Sequence, residues 1–507
     1  EYNRSVKIPF VFATKSIALT LFESVSQNDF DKHTENDFVD FYQERNVPLM
    51  QSKEGSKATH ADVNGDGQED IFIGGAKNQS GQLYLQSANG FAKNYQKVFE
   101  IDSAYEDIAV LFFDADRDGD NDFFVGSGGN DEPPRSIKLQ HRLYINDGKG
   151  TFTKSMNNFS ENSSNISVAI ANDFDDDGDM DLFVGGRCLS YNYGIAPSSY
   201  IFENNGKGNF TDVTKAKATT IEKIGMVTDA VWADVTGDVK KELVIVGEWM
   251  NPKIFSYTNN KFEEVKGNLV SMNGWWQTVK AADLDGDGKQ DLILGNIGEN
   301  FYLQPDTLSP VKLWINDYDQ NGLVDKVLSY TIDGKDMPVF LKKDFTEALP
   351  SLKKENLRHH AYAEKTIQNL FKPEQIKTST VKLFNYSSSC IAYNKGNGNF
   401  DIQKLPITAQ LSCVNSILCE DVNKDGKIDI IFGGNLPDCL PQFGRLDANF
   451  GTVLINNGKR NFSEISSLKT GLNVTGVVRD IQAFKLNNSD AILFLRNNDY
   501  PLLYKIR

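Results

Sequence analysis

The residues with the clearest chemical potential lie in a short acidic segment between two apolar stretches, at residues 167–187 (SVAIANDFDDDGDMDLFVGGR). Four aspartates occupy positions 1, 3, 5 and 9 of a loop: Asp173, Asp175, Asp177 and Asp181. Carboxylates this close repel one another unless a hard cation lies among them, and Ca²⁺ takes about six to eight oxygen ligands. The carbonyl oxygen of Asp179 at position 7 would add a ligand, and Gly178 allows the sharp turn. The spacing predicts a calcium loop.

The same pattern recurs along the chain, giving six good copies in all. The residues predicted to bind metal in the other copies, in chain order, are Asp62, Asn64, Asp66, Gln68, Asp70; Asp114, Asp116, Asp118, Asp120, Asp122; Asp283, Asp285, Asp287, Lys289, Asp291; Asp317, Asp319, Asn321, Asp325; and Asp421, Asn423, Asp425, Lys427, Asp429. The residue at position 7 serves through its backbone carbonyl, whatever its side chain. A degenerate copy keeps four positions as Asp234, Thr236, Asp238 and Glu242 but has Val239 in place of the glycine.

The local setting of each loop is a β-hairpin. A loop of this kind resembles the first half of an EF-hand loop, but the closing acid lies at position 9, where an EF-hand has glutamate at 12. An apolar strand follows, as in IFIGG after Asp70 and LILGN after Asp291, and not a helix. Six copies between apolar strands make a metal-free interpretation improbable.

A second hairpin follows most of the loops, as in residues 142–154 (RLYINDGKGTFTK) and 452–465 (TVLINNGKRNFSEI). Each has an apolar strand, a turn rich in Asn and Gly, and a strand that opens with Phe, as hairpin rules expect. One repeat is then four antiparallel strands, which cannot bury both faces alone. Repeated radially, such units form a β-propeller, so we predict an all-β fold of four-stranded blades.

The spacing of the loops predicts the number of blades. First aspartates fall at 62, 114, 173, 234, 283, 317 and 421, with a weak further start near Asp480. At about 50 residues per blade we expect eight blades, or seven if 311–331 belongs to its neighbour. The predicted divisions are 1–57 with a ring-closing strand at 18–25, blades over 58–338, a helical insertion over 339–377, and blades over 378–507.

Composition limits the classes of partner. The chain has 507 residues, a formal net charge of −16 and a pI near 4.9, which argues against nucleic acid or an anionic membrane surface. Six divalent ions would offset most of that charge. The five cysteines show no CxxC spacing, so a zinc site is not expected and at most one or two disulfides could form.

The loops also bear on location. Calcium loops of this kind fill where Ca²⁺ is millimolar, so we expect an extracellular or cell-surface protein. The apolar stretch 8–22 is interrupted by Lys15 and is too short to span a bilayer, so we interpret it as a strand.

The DxDxDGxxD loops followed by FVGG-like strands resemble the FG-GAP/VCBS repeats of integrin α-subunit propellers. Further stretches resemble the propeller of the VCBS/ASPIC-UnbV group, which includes bacterial surface lipoproteins and animal cartilage acidic protein: GMVTDAVWAD (225–234), VGEWM (246–250), GWW (274–276), KLWINDYDQNG (312–322), LPSLKK (349–354) and GGNL (433–436). The resemblance covers residues 30–507. Neither the ASPIC/UnbV domain nor a lipid-anchoring N-terminal Cys is found in this sequence, so an anchor rests on the resemblance alone.

The resemblance also implies partners. Many bacterial members belong to outer-membrane systems with SusC/SusD-type transporters, which implies an accessory subunit in such a complex. The loops predict about five or six structural Ca²⁺ ions, and the resemblance implies a protein partner at the cell surface or outer membrane. A glycan ligand is the alternative. No nucleic-acid partner is expected, and contact with a membrane is expected only through a lipid anchor.

Catalytic candidates are few. His359 and His360 lie in the helical insertion, where adjacent residues face different ways, and no HExxH motif accompanies them. Ser198 and Ser199 lack a GxSxG setting, and Cys188 has no His nearby in sequence. We expect a protein without enzymatic activity. A polysaccharide lyase or hydrolase is the alternative, and it would need an acid–base pair beyond the loop carboxylates.

Binding candidates are aromatic side chains, which stack on sugars or anchor protein interfaces. They are Trp249, Trp275, Trp276, Tyr191 and Tyr193, together with the helical insertion. Trp249 and Trp276 adjoin strand patterns, which favours a place in the core. The leading hypothesis is a calcium-stabilised interaction subunit, with a glycan-binding module as the alternative.

Overall fold

The fold is built from four-stranded antiparallel sheets arranged around an axis. The computed structural model describes residues 20–25 and 30–507. Within these residues the strands form eight sheets, seven of four strands and one of five. In six of these sheets the second strand along the chain is buried over its whole length, as in Asp181–Cys188 and Glu242–Met250. A strand apolar on both faces requires a neighbour on each side, which a ring of sheets supplies.

The first four blades follow one another along the chain. Blade 1 consists of β2 (Ala58–Ala61), β3 (Asp70–Ile73), β4 (Gln82–Ser87) and β5 (Gly90–Asn94). Blade 2 consists of β6 (Asp107–Phe113), β7 (Asp122–Ser127), β8 (Arg142–Ile145) and β9 (Thr153–Ser155). Blade 3 consists of β10 (Asn165–Asn172), β11 (Asp181–Cys188), β12 (Tyr200–Glu203) and β13 (Thr211–Asp212). Blade 4 consists of β14 (Met226–Ala233), β15 (Glu242–Met250), β16 (Lys253–Thr258) and β17 (Lys261–Glu264), with β18 (Gly274–Trp275) paired to β15.

The remaining strands form three further blades and one inserted sheet. Blade 5 consists of β19 (Thr278–Ala282), β20 (Asp291–Gly295), β25 (Cys390–Asn394) and β26 (Phe400–Lys404). The inserted sheet consists of β21 (Val311–Asn316), β22 (Asp325–Ile332), β23 (Lys335–Pro338) and β24 (Thr380–Phe384). Blade 6 consists of β27 (Val414–Glu420), β28 (Asp429–Gly434), β29 (Thr452–Asn456) and β30 (Phe462–Ile465). Blade 7 consists of β31 (Val477–Leu486), β32 (Ser489–Asn497), β33 (Leu502–Ile506) and β1 (Phe22–Ser24).

The helices are short and lie in the connections. In chain order they are α1 (Asp40–Gln43), α2 (Lys97–Ile101), α3 (Thr214–Lys217), α4 (Thr219–Glu222), α5 (Lys342–Ala348), α6 (His359–Ala363), α7 (Ile367–Leu370), α8 (Pro373–Thr378), α9 (Ile407–Gln410) and α10 (Ser467–Thr470). Short 3₁₀ helices occupy Ile137–Leu139, Asn268–Ser271, Pro350–Lys353 and Pro441–Phe443. No helix in the described ranges is both long and apolar enough to cross a membrane.

The ring has seven blades. The innermost strands neighbour one another in the order β2, β6, β10, β14, β19, β27 and β31, and β31 returns to β2. Each junction encloses its own apolar cluster, for example Phe183 of blade 3 with Leu243 and Phe255 of blade 4. The β-propeller prediction is confirmed, but the expected eighth blade is not in the ring. The sheet that contains residues 311–331 is inserted between β20 and β25.

Ring closure joins the two ends of the described chain. Strand β1 pairs antiparallel with β33 as the outermost strand of blade 7, with Phe22 opposite Ile506 and Ser24 opposite Tyr504. The sequence predicted this closing strand at 18–25. The predicted strand over residues 8–22 falls almost entirely outside the described residues, and only its last residue, Phe22, belongs to β1.

The insertion is larger than the helical stretch expected at 339–377, because it also contains the β21–β24 sheet. Its helices pack inward, with Phe345 and Ile367 fully buried and Leu341 exposed. They share one apolar cluster with Trp249 and Trp275 of the ring. Tertiary packing therefore fixes the insertion to the propeller.

The ring has two different ends. We call the end with the acidic loops and the second-hairpin turns the loop face, and the opposite end the cover face. On the cover face, residues 30–57 cross several blades: Asn130 Nδ2 donates to Asp40 Oδ1 at 2.8 Å, and Leu49 forms a β-bridge with Cys439. The insertion lies at the same end because it leaves from the connection between β20 and β25, the second and third strands of blade 5. The loop face carries neither segment.

Candidate metal centres

The acidic loops occupy equivalent places in the fold. Those beginning at residues 62, 114, 173, 283 and 421 join the first and second strands of blades 1, 2, 3, 5 and 6. The loop beginning at Asp317 joins β21 to β22 in the inserted sheet and is outside the ring. Strand pairing on both sides fixes the ends of each loop, for example Asn172 opposite Asp181 in blade 3.

The loops bring their first, third and ninth residues together. In four loops a carboxylate oxygen from each of these positions lies within 4.8 Å of the others: Asp114, Asp116, Asp122; Asp173, Asp175, Asp181; Asp283, Asp285, Asp291; and Asp317, Asp319, Asp325. In the other two, Asn64 and Asn423 present an amide at position 3 between aspartates. The fifth residue, such as Asp177, lies at the exposed rim and accepts a hydrogen bond from the position-7 N–H.

The first aspartate organises the turn. Asp173 accepts the Asp177 N–H at Oδ1 (3.1 Å) and the Gly178 N–H at Oδ2 (2.9 Å). The same bond from the position-6 N–H is made to Asp62, Asp283 and Asp421. Gly178 has φ of 92°, in the left-handed region where a side chain would be strained. Hydrogen bonds from the backbone thus fix the shape of the loop and keep its carboxylates close together.

The ninth aspartate accepts hydrogen bonds from two turns of its blade. Asp181 is 1% exposed and accepts the Asn204 N–H at Oδ1 (2.8 Å) and the Phe174 N–H at Oδ2 (3.4 Å). Asn204 begins the turn between β12 and β13, so this carboxylate ties the acidic loop to the second hairpin. Asp122 and Asp429 make the same two bonds in blades 2 and 6.

Burial makes ionisation of the ninth aspartate unfavourable without a cation. Burial raises the pKa of Asp181 to about 8, that of Asp122 to about 7 and that of Asp291 to about 6. Neighbouring carboxylates of the same loop, Asp175 in the case of Asp181, raise the pKa further. A bound divalent cation would remove this penalty.

Several carboxylate oxygens in the loops have no partner. The third-position atoms Asp116 Oδ1, Asp175 Oδ1 and Asp319 Oδ1 are buried without a hydrogen bond. Buried polar atoms normally have a partner, so these oxygens need one. All donors are oxygens, which suits Ca²⁺ and not a soft metal. The residues therefore fit the predicted ion, with positions 1, 3, 5 and 9 and the position-7 carbonyl as its ligands.

The degenerate loop of blade 4 has the same shape with different chemistry. Glu242 at its end accepts hydrogen bonds from the Val235 N–H (2.9 Å) and from Thr236 Oγ1 (3.0 Å). Val239 takes the glycine position with φ of 76° and is 89% exposed. Position 3 of this loop therefore has a hydroxyl that donates to the closing carboxylate, whereas the other loops have an aspartate or asparagine there.

The weak match to the repeat near Asp480 does not form an acidic loop. Asp480 lies within β31, where its Oδ2 accepts the Ala58 N–H of blade 1 at 3.1 Å. The β31–β32 hairpin closes instead through Asn487 and Asn488, both with positive φ. Blade 7 therefore has no acidic loop between its first two strands.

An asparagine that sequence reasoning missed links neighbouring blades. The Asn204 side chain of blade 3 donates to the Ala115 carbonyl oxygen in the blade-2 loop (2.9 Å). Asn146 does the same to Val63, and Asn456 to Leu284. These asparagines occupy the same place in the repeated second turn. Their repetition in the sequence could have indicated this role, but it was used only to predict a turn.

The other candidates from the sequence lie mostly in the interior. Trp249, Trp275, Trp276 and Tyr193 are buried, and Trp275 stacks on Phe384 of the inserted sheet at 5.2 Å. Partly buried Tyr191 donates its hydroxyl to the Asp131 carbonyl oxygen. His359 and His360 are exposed on α6, and all five cysteines are free thiols.

Comparison with known proteins agrees with this geometry. A model of the FG-GAP-like repeat matches residues 62–125, 136–184, 173–245 and 234–294, which together make up less than half of the chain. The matched residues include the acidic loops that begin at 62, 114, 173 and 283 and the degenerate loop at 234. This chain is a β-propeller with FG-GAP-like repeats. No curated protein matches its sequence.

Two solved structures show remote likeness to this FG-GAP-repeat propeller. The V. cholerae biofilm matrix protein Bap1 is 12% identical, with 96% of this chain and 91% of that chain covered and a TM-score of 0.40. The structure described as YCF48 bound to D1 peptide is 10% identical, with 94% and 99% covered and a TM-score of 0.39. Both TM-scores are below 0.5, and neither likeness carries an argument about function.

Proposed function

We propose that this protein is a calcium-stabilised extracellular or cell-surface propeller that serves as a non-catalytic protein-interaction subunit. The observation that carries the proposal is the place of its carboxylates. In four loops three aspartates converge within 4.8 Å, and each set closes the hairpin between two strands of a sheet. An ion at such a place stabilises the fold and leaves the surface free for binding.

Calcium is the ion that fits these loops best. A site with three or four carboxylates, a backbone carbonyl and room for water supplies the oxygen ligands that Ca²⁺ takes. Loops with few rigid ligands bind at the high calcium concentrations found outside cells. This supports the extracellular assignment. The ASPIC/UnbV kinship and the SusC/SusD-type partner remain finer proposals that rest on the stretches quoted above.

The surroundings of the catalytic candidates support a non-catalytic role. His359 and His360 are exposed at the start of the short helix α6. Burial raises the pKa of the Cys188 thiol far above its ordinary value, which disfavours a nucleophilic thiolate. The polysaccharide-acting enzyme remains the alternative that turnover on acidic glycans would reveal.

The tryptophans that the sequence offered as glycan-binding residues are buried. A sugar platform needs an exposed aromatic face, but Trp249 is 4% exposed and Trp275 and Trp276 are 0% exposed. Exposed aromatic rings occur at other places, for example Tyr42 (80% exposed) and Tyr95 (75% exposed), which the sequence did not single out. The insertion exposes Leu341 (69%) and Leu357 (78%), and these two aliphatic side chains suit contact with protein.

The test is capture of partners from the native membrane in millimolar Ca²⁺, with mass spectrometry of stoichiometric components. We expect outer-membrane transporter subunits with the wild type and fewer with the double variant Leu341→Ser/Leu357→Ser. The control is Leu468→Ser, since Leu468 is 81% exposed but lies in α10, in the connection between blades 6 and 7. A wild type that is recovered alone, or glycan turnover by the purified protein, would contradict the proposal.

A further inference from the structure

The six acidic loops differ most at position 7, which sequence reasoning treated only as a source of a carbonyl oxygen. Blades 2 and 3 have Asp120 and Asp179 there, whereas blades 5 and 6 have Lys289 and Lys427. The loops of blade 1 and the inserted sheet have neutral residues, Gln68 and Leu323. The structure shows where these side chains lie.

The position-7 aspartates lie beside the other carboxylates, Asp179 buried and Asp120 half-buried. Asp179 is 5% exposed, and its Oδ1 is buried without a hydrogen-bond partner. Asp120 Oδ1 is likewise buried and unpartnered. A Cβ built on Gly206 would lie 3.2 Å from Asp179 Oδ2, and one on Gly148 3.0 Å from Asp120 Oδ2, so the second turn of each blade covers the carboxylate. Each adds a negative charge to the four aspartates at positions 1, 3, 5 and 9 of its loop. In blade 3 the Arg117 guanidinium of blade 2 lies against the loop and offsets part of the charge of Asp179.

The position-7 lysines have the opposite arrangement. Lys289 Nζ lies 2.8 Å from Asp287 Oδ2, and Lys427 Nζ lies 3.0 Å from Asp425 Oδ2. Both acceptors are the position-5 aspartates of the same loops. Each ammonium therefore pairs with a carboxylate that is a predicted ligand of the ion, and it places a positive charge beside the site.

Blade 5 has a second internal cation. Arg460, from the second turn of blade 6, places Nε 2.9 Å from Oδ2 of Asp285 at position 3. Two of the four carboxylates in this loop are thus already paired. Blade 3 also has a lysine nearby, but Lys217 Nζ is 3.7 Å from Asp175 Oδ2 and only 2.5 Å from Glu203 Oε2. Its charge is directed mainly to Glu203.

We propose that the position-7 side chain grades the calcium affinity of the loops, so that blades 2 and 3 bind tightly and blades 5 and 6 bind weakly. The proposal rests on the calcium role proposed above. Exposed ion pairs contribute little to folding, but a charge a few ångströms from a divalent ion changes its binding directly. Loop affinity for Ca²⁺ follows the number of charged ligands. At low calcium Lys289 and Lys427 would stay paired with the position-5 aspartates of their loops. At high calcium the ion would displace their ammonium groups.

The test is calcium titration of the intact metal-free protein, by calorimetry and by competition with a chromophoric chelator. The wild type should show two tight equivalents and further weaker ones. Asp120→Lys should remove one tight equivalent, and Lys289→Asp and Lys427→Asp should each tighten one weak equivalent by about tenfold or more. The control Lys354→Asp makes the same charge change on an exposed residue of the insertion.

The outcomes separate this proposal from the one it rests on. If the wild type takes up no calcium, the calcium role itself fails. If it binds calcium but both lysine variants match Lys354→Asp, the grading alone is overturned. Circular dichroism in saturating Ca²⁺ checks folding. The lysine variants change exposed side chains, so they keep the test decisive even if Asp120→Lys does not fold.

Discussion

Asn204 and Ala115 join two blades through one buried hydrogen bond. Asn204 Nδ2 of blade 3 lies 2.9 Å from the Ala115 carbonyl oxygen, and Ala115 follows the first aspartate of the blade-2 acidic loop. The backbone N–H of the same asparagine donates to Asp181. One residue thus connects the acidic loops of neighbouring blades, and the ions would stabilise the ring as well as single hairpins.

Asn204→Ala should lower the free energy of unfolding by about 1–3 kcal/mol, because the Ala115 carbonyl would be left buried without its donor. Urea denaturation in saturating Ca²⁺ measures the change. The control is Asn209→Ala in the same turn, where the exposed side chain bonds only to the Lys207 carbonyl oxygen. Equal effects of the two substitutions would contradict the inter-blade role.

Removal of calcium should lower the melting temperature by about 10 °C or more, because several sites stabilise the folded state together. Gathered carboxylates such as Asp114, Asp116 and Asp122 then repel one another with no ion among them. Differential scanning calorimetry of loaded and metal-free protein measures the shift. The same melting temperature in both forms would end the structural-calcium proposal.

Asp177→Ala should destabilise blade 3 in Ca²⁺ and have little effect in the metal-free protein. Asp177 lies at the exposed rim of its loop, so its main role is to bind the ion. Hydrogen exchange of β10 and β11 with and without Ca²⁺ localises the effect. Asp176→Asn is the control, since Asp176 is exposed, has φ of 61° that Asn tolerates, and is not a predicted ligand. Loss of a specific turnover with the fold intact would instead indicate an active site.

The stability of the metal-free protein should fall as pH rises through about 4 to 8. Burial raises the pKa of Asp70 to about 6, of Asp122 to about 7 and of Asp181 to about 8, above the ordinary aspartate value of 3.8. The folded chain then binds more protons than the unfolded chain, so deprotonation favours unfolding. Calcium requires ionised carboxylates, so the loaded protein gains stability over the same range.

The difference in melting temperature between loaded and metal-free protein should therefore widen from pH 5 to pH 8, as scanning calorimetry on resin-treated samples would show. Burial lowers the pKa of His33 to about 4 and of His141 to about 3. Both rings are buried in either form, so their titration cancels in the difference. A difference that narrows with pH would contradict the loop assignments.

The sequence alone determined the repeating hairpins and their acidic loops. Asp173 to Asp181 are so close along the chain that their convergence is local, and Gly178 sets the turn by its own conformational freedom. The apolar strands around them predicted four-stranded units, and from these the propeller. Even the closing strand at Phe22–Ser24 followed, because the last blade lacked a partner.

Only the tertiary structure decided the number of blades, the position of the Asp317 loop and the burial of the tryptophans. The Asp317 loop has the local pattern of a blade, but β21 pairs with β24 across the helices, and its sheet stays outside the ring. Trp275 packs against Phe384, more than a hundred residues away. The pairing of Lys289 with Asp287 is local, but Arg460 reaches Asp285 from the next blade. Spacing fixes contacts within a hairpin, whereas contacts between distant segments depend on how the whole ring closes.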